Sequence, residues 1–165
     1  MKGRYLIPAV VVVLGLLAYF YLYPSEEKKI KKRLALLSEY ASKDAGESAF
    51  ALARRLENLG ALFADRVTLK ASGYELSGTH TRREIVNLGA RARMVFSRMT
   101  LNFHDASVAI SGERMAKVST AGRLKGMSAN GESVDEIRSL EFTLQKDSEG
   151  KWLFTAVEVV EVLKK

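Results

Sequence analysis

Residues 98–162 read RMTLNFHDASVAISGERMAKVSTAGRLKGMSANGESVDEIRSLEFTLQKDSEGKWLFTAVEVVEV, and three breaks, Ser111-Gly112-Glu113, Asn130-Gly131 and Asp147-Ser148-Glu149-Gly150, divide the stretch into four extended runs. Asn-Gly between two such runs is a strong hairpin signal, because both residues tolerate the positive φ of a tight type I′ turn. The stretch predicts a four-strand antiparallel meander. In its second run Val118, Thr120, Gly122, Leu124 and Gly126 alternate with Lys117, Ser119, Ala121, Arg123 and Lys125, so one face is small and apolar and the other wet. The third run places Val134, Glu136, Arg138, Leu140, Phe142 and Leu144 on one side, so a charged pair shares the face that farther along is core. The last run, Lys151 to Val162, is apolar on both faces through Trp152, Phe154, Val157, Val159 and Val160, the pattern of a strand covered on both sides.

Everything upstream of the meander reads as cover for one face of it. Thr81-Arg82-Arg83-Glu84 fits a capping box and starts a helix with Ile85, Leu88, Ala92, Val95, Phe96 and Met99 on one arc. Arg82, Arg83, Arg91, Arg93 and Arg98 fall outside that arc, as a solvated face. Before this helix, Asp65 to Lys70 alternates as a short strand, Val67 and Leu69 against Thr68 and Lys70. A helix from Ser48 carries Phe50, Ala53, Leu56, Leu59 and Phe63 on one stripe, read as core. An earlier helix, capped by Ser25 with Glu26 and Glu27 in its first turn, carries Ile30, Leu34, Leu37 and Ala41 on one face.

At the amino end, Tyr5 to Tyr23 is nineteen residues without a charge, with tyrosines near both ends. That length matches the roughly 30 Å hydrocarbon layer, and no small-x-small cleavage site precedes the charged run. The expectation is an uncleaved single-pass anchor over residues 1–24 and one globular domain over 25–165 in the inner (plasma) membrane. Lys28, Lys29, Lys31, Lys32 and Arg33 account for much of the net charge of +7 and read as a membrane-surface run. They favour a cytoplasmic domain by the positive-inside rule, whereas Lys2 and Arg4 before the apolar stretch suit an exported anchor; the periplasmic side is the expectation adopted. The absence of cysteine excludes disulfides, thiolate metal sites and a cysteine nucleophile.

Helix, helix, short strand, capped helix and four-strand meander is an order that resembles the nuclear transport factor 2-like superfamily (SnoaL-like, cystatin-like), whose sheet curls into a cone around a pocket closed by helices. The resemblance rests on Leu59-Gly60-Ala61-Leu62-Phe63-Ala64-Asp65 at the helix-to-strand junction, Ser77-Gly78 through Glu84-Ile85 before the third helix, and Gly150-Lys151-Trp152-Leu153-Phe154 in the final hairpin. It implies an α+β fold in which three helices pack on a curved antiparallel sheet of four to six strands. Fold likeness does not carry function, because this fold hosts isomerases, dehydratases, transport adaptors and assembly proteins. In ketosteroid isomerase-like members a catalytic aspartate lies where Lys70-Ala71 stands here, and a protonated aspartate lies where Arg138 stands. Neither replacement can serve, since a permanently charged guanidinium is not a neutral acid. Dehydratase members use a pair of pocket histidines, and this chain has only His80 and His104. His104-Asp105 is set aside as a dyad because consecutive strand residues point to opposite faces.

Two functions follow as expectations. One is a membrane-tethered, non-enzymatic binding or assembly module whose partners are the bilayer and a protein or a second copy docked through the sheet. The other is a small-molecule or enzymatic pocket with Tyr74, His104, Glu136, Arg138 and Glu158 as its candidate residues. Glu136 and Arg138 are expected to pair with each other or with Glu158 at the wide end of the cone. No metal, cofactor or nucleic acid is expected, and a deep pocket enclosing Glu136 and Arg138 would favour the second reading over a filled cone.

Overall fold

The computed structural model describes residues 11–15, 25–71 and 77–160. Its elements are helix α1 (Glu26–Ala41), helix α2 (Ala49–Gly60), strand β1 (Phe63–Ala71), strand β2 (Gly78–Thr81), helix α3 (Arg82–Val95), and strands β3 (Phe96–Ser111), β4 (Met115–Ser128), β5 (Ser133–Lys146) and β6 (Trp152–Val160). The six strands form one sheet in the order β2-β1-β6-β5-β4-β3. The sheet is mixed, not purely antiparallel, because β1 returns beside β6 in parallel register, with Leu69 opposite Val157 and Lys70 opposite Glu158. β6 thereby lies inside the sheet, between β1 and β5, where its double-sided apolar pattern belongs.

The expected membrane span is corrected. Among the described residues no helix is long and apolar enough to cross a membrane. Of the stretch Tyr5–Tyr23 only residues 11–15 are described, as helix, and the remainder lies outside the described residues. The inner-membrane location and the tethered architecture rested on that span and are not carried forward.

Helices α1, α2 and α3 start where their capping chemistry places them. Ser25 accepts from the Lys28 amide at 3.3 Å and Ser48 from the Ala51 amide at 3.2 Å. Thr81 and Glu84 complete the capping box in both directions, at 3.3 and 2.6 Å. The Thr81 amide holds the Glu84 carboxyl below its usual value. The core joins Ile30, Leu34 and Leu37 of α1, Leu59 of α2 and Ile85 of α3 to Phe63, Val67, Val118, Phe142, Leu144, Trp152 and Phe154 of the sheet.

Two helical stripes depart from expectation. Phe50 is 78% exposed and Ala53 is exposed, so the first turns of α2 stand off the core and only Leu59 and Gly60 of that helix are buried. α3 passes straight into β3 at Phe96, which leaves Val95 exposed and turns Arg93 inward to 2% exposure. The guanidinium donates to the Tyr40, Ala41 and Ser42 carbonyls and pairs with Glu47, itself 5% exposed. Buried charge is tolerable there because the α1 carbonyls and a carboxylate meet it. Lys43 extends the junction, donating from Nζ to the Arg93 and Phe96 carbonyls at 2.9 and 2.7 Å.

The hairpin between β4 and β5 is also not the expected turn. Gly131 has φ 86°, but Asn130 does not adopt positive φ, and a type I′ turn needs both. The Gly131 amide instead bonds the Ser128 carbonyl at 3.0 Å and the Ser128 amide the Glu132 carbonyl at 2.8 Å. A three-residue loop closed by a left-handed glycine follows.

Candidate functional site

The candidate residues do not converge. Tyr74 lies outside the described residues. Glu136 and Arg138 pair with each other at 3.2 Å, as expected, but both side chains are about half exposed, so the pair is a surface contact and not a desolvated site. Glu158 takes no part in it. It sits on β6 with Lys70 at 3.5 Å, directly across from Glu141 of β5. His80 on β2 and His104 on β3 lie on opposite edges of the sheet, which rules out a shared histidine pair.

At His104 the alternation rule itself gives way. His104 pairs with Ala121 and Ser107 with Ser119, so β3 has one residue more than β4 across this interval, and Asp105 takes φ 54°. A bulge of this kind switches which residues face inward. Leu101 and Phe103 face the core side before it and Ala106 and Val108 after it, leaving His104 and Asp105 both exposed. The argument from opposite faces therefore fails at this position, although no hydrogen bond links the two side chains.

Inside, between helices and sheet, the phenyl rings of Phe63, Phe154, Phe142 and Phe103 follow one another at centroid distances of 5.5, 5.3 and 5.5 Å. Gly122 makes room for Leu140 beside them, since a Cβ there would stand 2.5 Å from Leu140 Cδ1. Lys70 and Arg138 are both exposed.

The face of the sheet turned away from the helices is the more distinctive surface. Opposed residues share a face, so Ser107, Ser119, Thr143 and Ala156 lie on it with Ala121, Ser139 and Val160. A depression of about 290 Å³ is lined there by Ser107, Ser119, Ala121, Ser139 and Val160. Beside it a cleft of about 120 Å³ gathers Lys70, Lys117, Glu141 and Glu158. Farther along, Arg123 holds Asp135 through two hydrogen bonds of 2.8 and 2.7 Å, which keep the Asp135 carboxyl below its usual range. Ile137, opposite Arg123, is 58% exposed. The alternation of β4 and β5 predicts this wet face, whereas its neighbours from β1 and β6 depend on the parallel pairing.

The basic run of α1 is divided. Lys31 pairs with Glu27 at 2.7 Å and Lys29 with Glu26 at 2.8 Å, while Lys32 and Arg33 have no ion-pair partner among the described residues.

Solved structures place the fold. The chain is similar to a candidate aromatic ring hydroxylase from Novosphingobium aromaticivorans, at 12% identity and a TM-score of 0.65, over 82% of this chain and 88% of that one. A candidate dehydratase of the nuclear transport factor 2-like family from Streptomyces avermitilis matches at 15% identity and a TM-score of 0.62, over 83% of this chain and 96% of that one. The association domain of CaMKII from C. elegans matches at 15% identity and a TM-score of 0.58, over 82% and 95% of the two chains. No protein-family model matches the sequence, and no curated protein does. The fold is thus the nuclear transport factor 2-like, cystatin-like one. At these identities the likeness concerns fold alone.

Proposed function

We propose that residues 25–165 form a non-catalytic binding or assembly module, and that it pairs with a second copy of the chain through the outer face of the sheet. The observation that carries this is the contrast between the two faces. The inner face is packed with Phe63, Phe103, Phe142 and Phe154. The outer face presents small side chains, an exposed Ile137 and charges of both signs. Charges of both signs on one face can be matched by a second copy of it, as a two-fold pairing requires. Glu141 opposite Glu158 is a like-charge pair that costs stability in a lone sheet. Lys70 and Lys117 in the same cleft offset it, and a partner's lysines would do so further. The CaMKII association domain among the similar structures agrees with this reading.

A small-molecule pocket is the second reading, favoured by the candidate hydroxylase and dehydratase among the similar structures. Its mouth would lie at the Glu136–Arg138 pair.

The chain has no cysteine, so single replacements give clean cross-linking sites. With a short bis-maleimide, Ala121→Cys is expected to yield covalent dimers and Glu149→Cys, in the exposed β5–β6 turn, to remain single. Equal yields from both positions, or none from Ala121→Cys, would count against pairing through this face.

A further inference from the structure

Two segments far apart in sequence build a second, separate cleft. The polar side of α1 contributes Lys29, Lys32, Arg33 and Leu36, and the β5–β6 turn contributes Gly150, Lys151 and Trp152, around a volume of about 390 Å³. That volume falls within the range of about 300–1,000 Å³ typical of small-molecule sites. Four cations thus stand over a partly apolar floor. Lys29 and Lys151 are each answered by a carboxylate, Glu26 at 2.8 Å and Glu149 at 2.5 Å. Lys32 and Arg33 have none among the described residues, and Arg33 stands close enough to Lys151 to oppose its charge. Folding therefore brings like charges together where nothing in the described chain requires it, the condition under which an anion is attracted. Trp152 is buried beneath the cleft and Leu36 is half-buried at its edge, so an inorganic ion alone would leave Leu36 uncovered.

From this geometry we infer a binding site for a small organic anion, a phosphate monoester or carboxylate attached to an apolar group, with its charged head between Lys32, Arg33 and Lys151 and its apolar part against Leu36, above the buried Trp152. The site is independent of the outer face of the sheet and of the candidate pocket residues. It has its own reporter as well. Trp152 is the sole tryptophan, and its indole Nε1 donates to Glu26 Oε2 at 2.7 Å. The other oxygen of Glu26 holds Lys29 of the cleft. An anion that draws Lys29 away changes the charge next to the indole.

The test is titration of the full chain with phenyl phosphate, inorganic phosphate and a short single-stranded oligonucleotide, read by Trp152 emission. The expected result is a saturable shift with phenyl phosphate, a weaker response to inorganic phosphate, and loss of affinity as salt is raised. Lys32→Gln with Arg33→Gln should weaken phenyl phosphate by about tenfold or more, each replacement removing one charge-assisted contact. Arg54→Gln, at an exposed position of α2, should leave it unchanged. Lys32 and Arg54 are exposed and Arg33 is half-buried, and the melting curves of both variants check that folding is intact. No saturable response in the wild-type chain, equal affinity in the Lys32/Arg33 variant, or tighter binding of the oligonucleotide than of phenyl phosphate would overturn the inference.

Discussion

Arg93 shows how one side chain can hold three elements in place. Its guanidinium meets the end of α1 through the Tyr40, Ala41 and Ser42 carbonyls and the α1–α2 loop through Glu47. Removing one member of a buried pair strands the other, so Arg93→Met should cost about 3–5 kcal/mol in urea unfolding. Arg93→Met combined with Glu47→Leu should recover much of that loss, because two apolar side chains leave no charge behind. Arg93 was readable as an outward arginine only while apolar residues alone were counted as core. Ile85, Gly89 and Arg93 recur at i, i+4 and i+8, a row that faces inward, and the spacing carried the signal that the residue type concealed. Glu47 could not be found this way, since a loop has no period. Glu26 is a second case in which partners decide. Lys146, Lys29 and Trp152 together pull its carboxyl from 4.5 to about 2. The folded state therefore prefers the ionised form, so the stabilisation is complete above about pH 4.5 and is lost as pH falls toward 2. Glu26→Gln should cost about 1 kcal/mol at neutral pH after allowance for solvent screening, with the difference from wild type vanishing over that acid range.

Strands and turns were the most legible elements, because turn chemistry and two-residue alternation are local. All three breaks in residues 98–162 close with a left-handed glycine, Gly112, Gly131 and Gly150, at φ 65°, 86° and 77°. The bulge at Asp105 was hidden for the complementary reason: a single extra residue leaves both flanking runs alternating, and only their relative phase changes. Asp tolerates the left-handed region better than branched residues do. Asp105→Val should accordingly destabilise the chain by about 1–2 kcal/mol, and Asp105→Gly should not, as measured by thermal unfolding. At the edge formed by β3, Lys43 pairs with Met99 in both directions, 2.7 and 2.9 Å, and Ser42 accepts from the Leu101 amide at 3.0 Å. That cover removes part of an otherwise open strand edge. It comes from the loop that Arg93 and Lys43 pin, so loosening the arginine cluster should also raise amide exchange at Met99 and Leu101.

For the whole molecule, the strand order decides what can act together. β2 and β3 close opposite edges of the sheet, so His80 and His104 are held apart. Long-range pairing of β1 with β6 brings Lys70 to Glu158 and assembles the mixed-charge cleft on the outer face. Neither arrangement has a counterpart in local sequence, which is why the α+β architecture was legible and the grouping of candidate residues was not. The central claim is that this outer face joins two copies of the chain. Sedimentation velocity over a range of concentrations tests it most directly, comparing the wild-type chain with Ala121→Arg, a replacement that places a long charged side chain in the small-residue depression. The account predicts a dimer that becomes a monomer in the variant without loss of thermal stability. A wild-type chain that sediments as a monomer at every concentration, or a variant that remains as dimeric as the wild type, would contradict it.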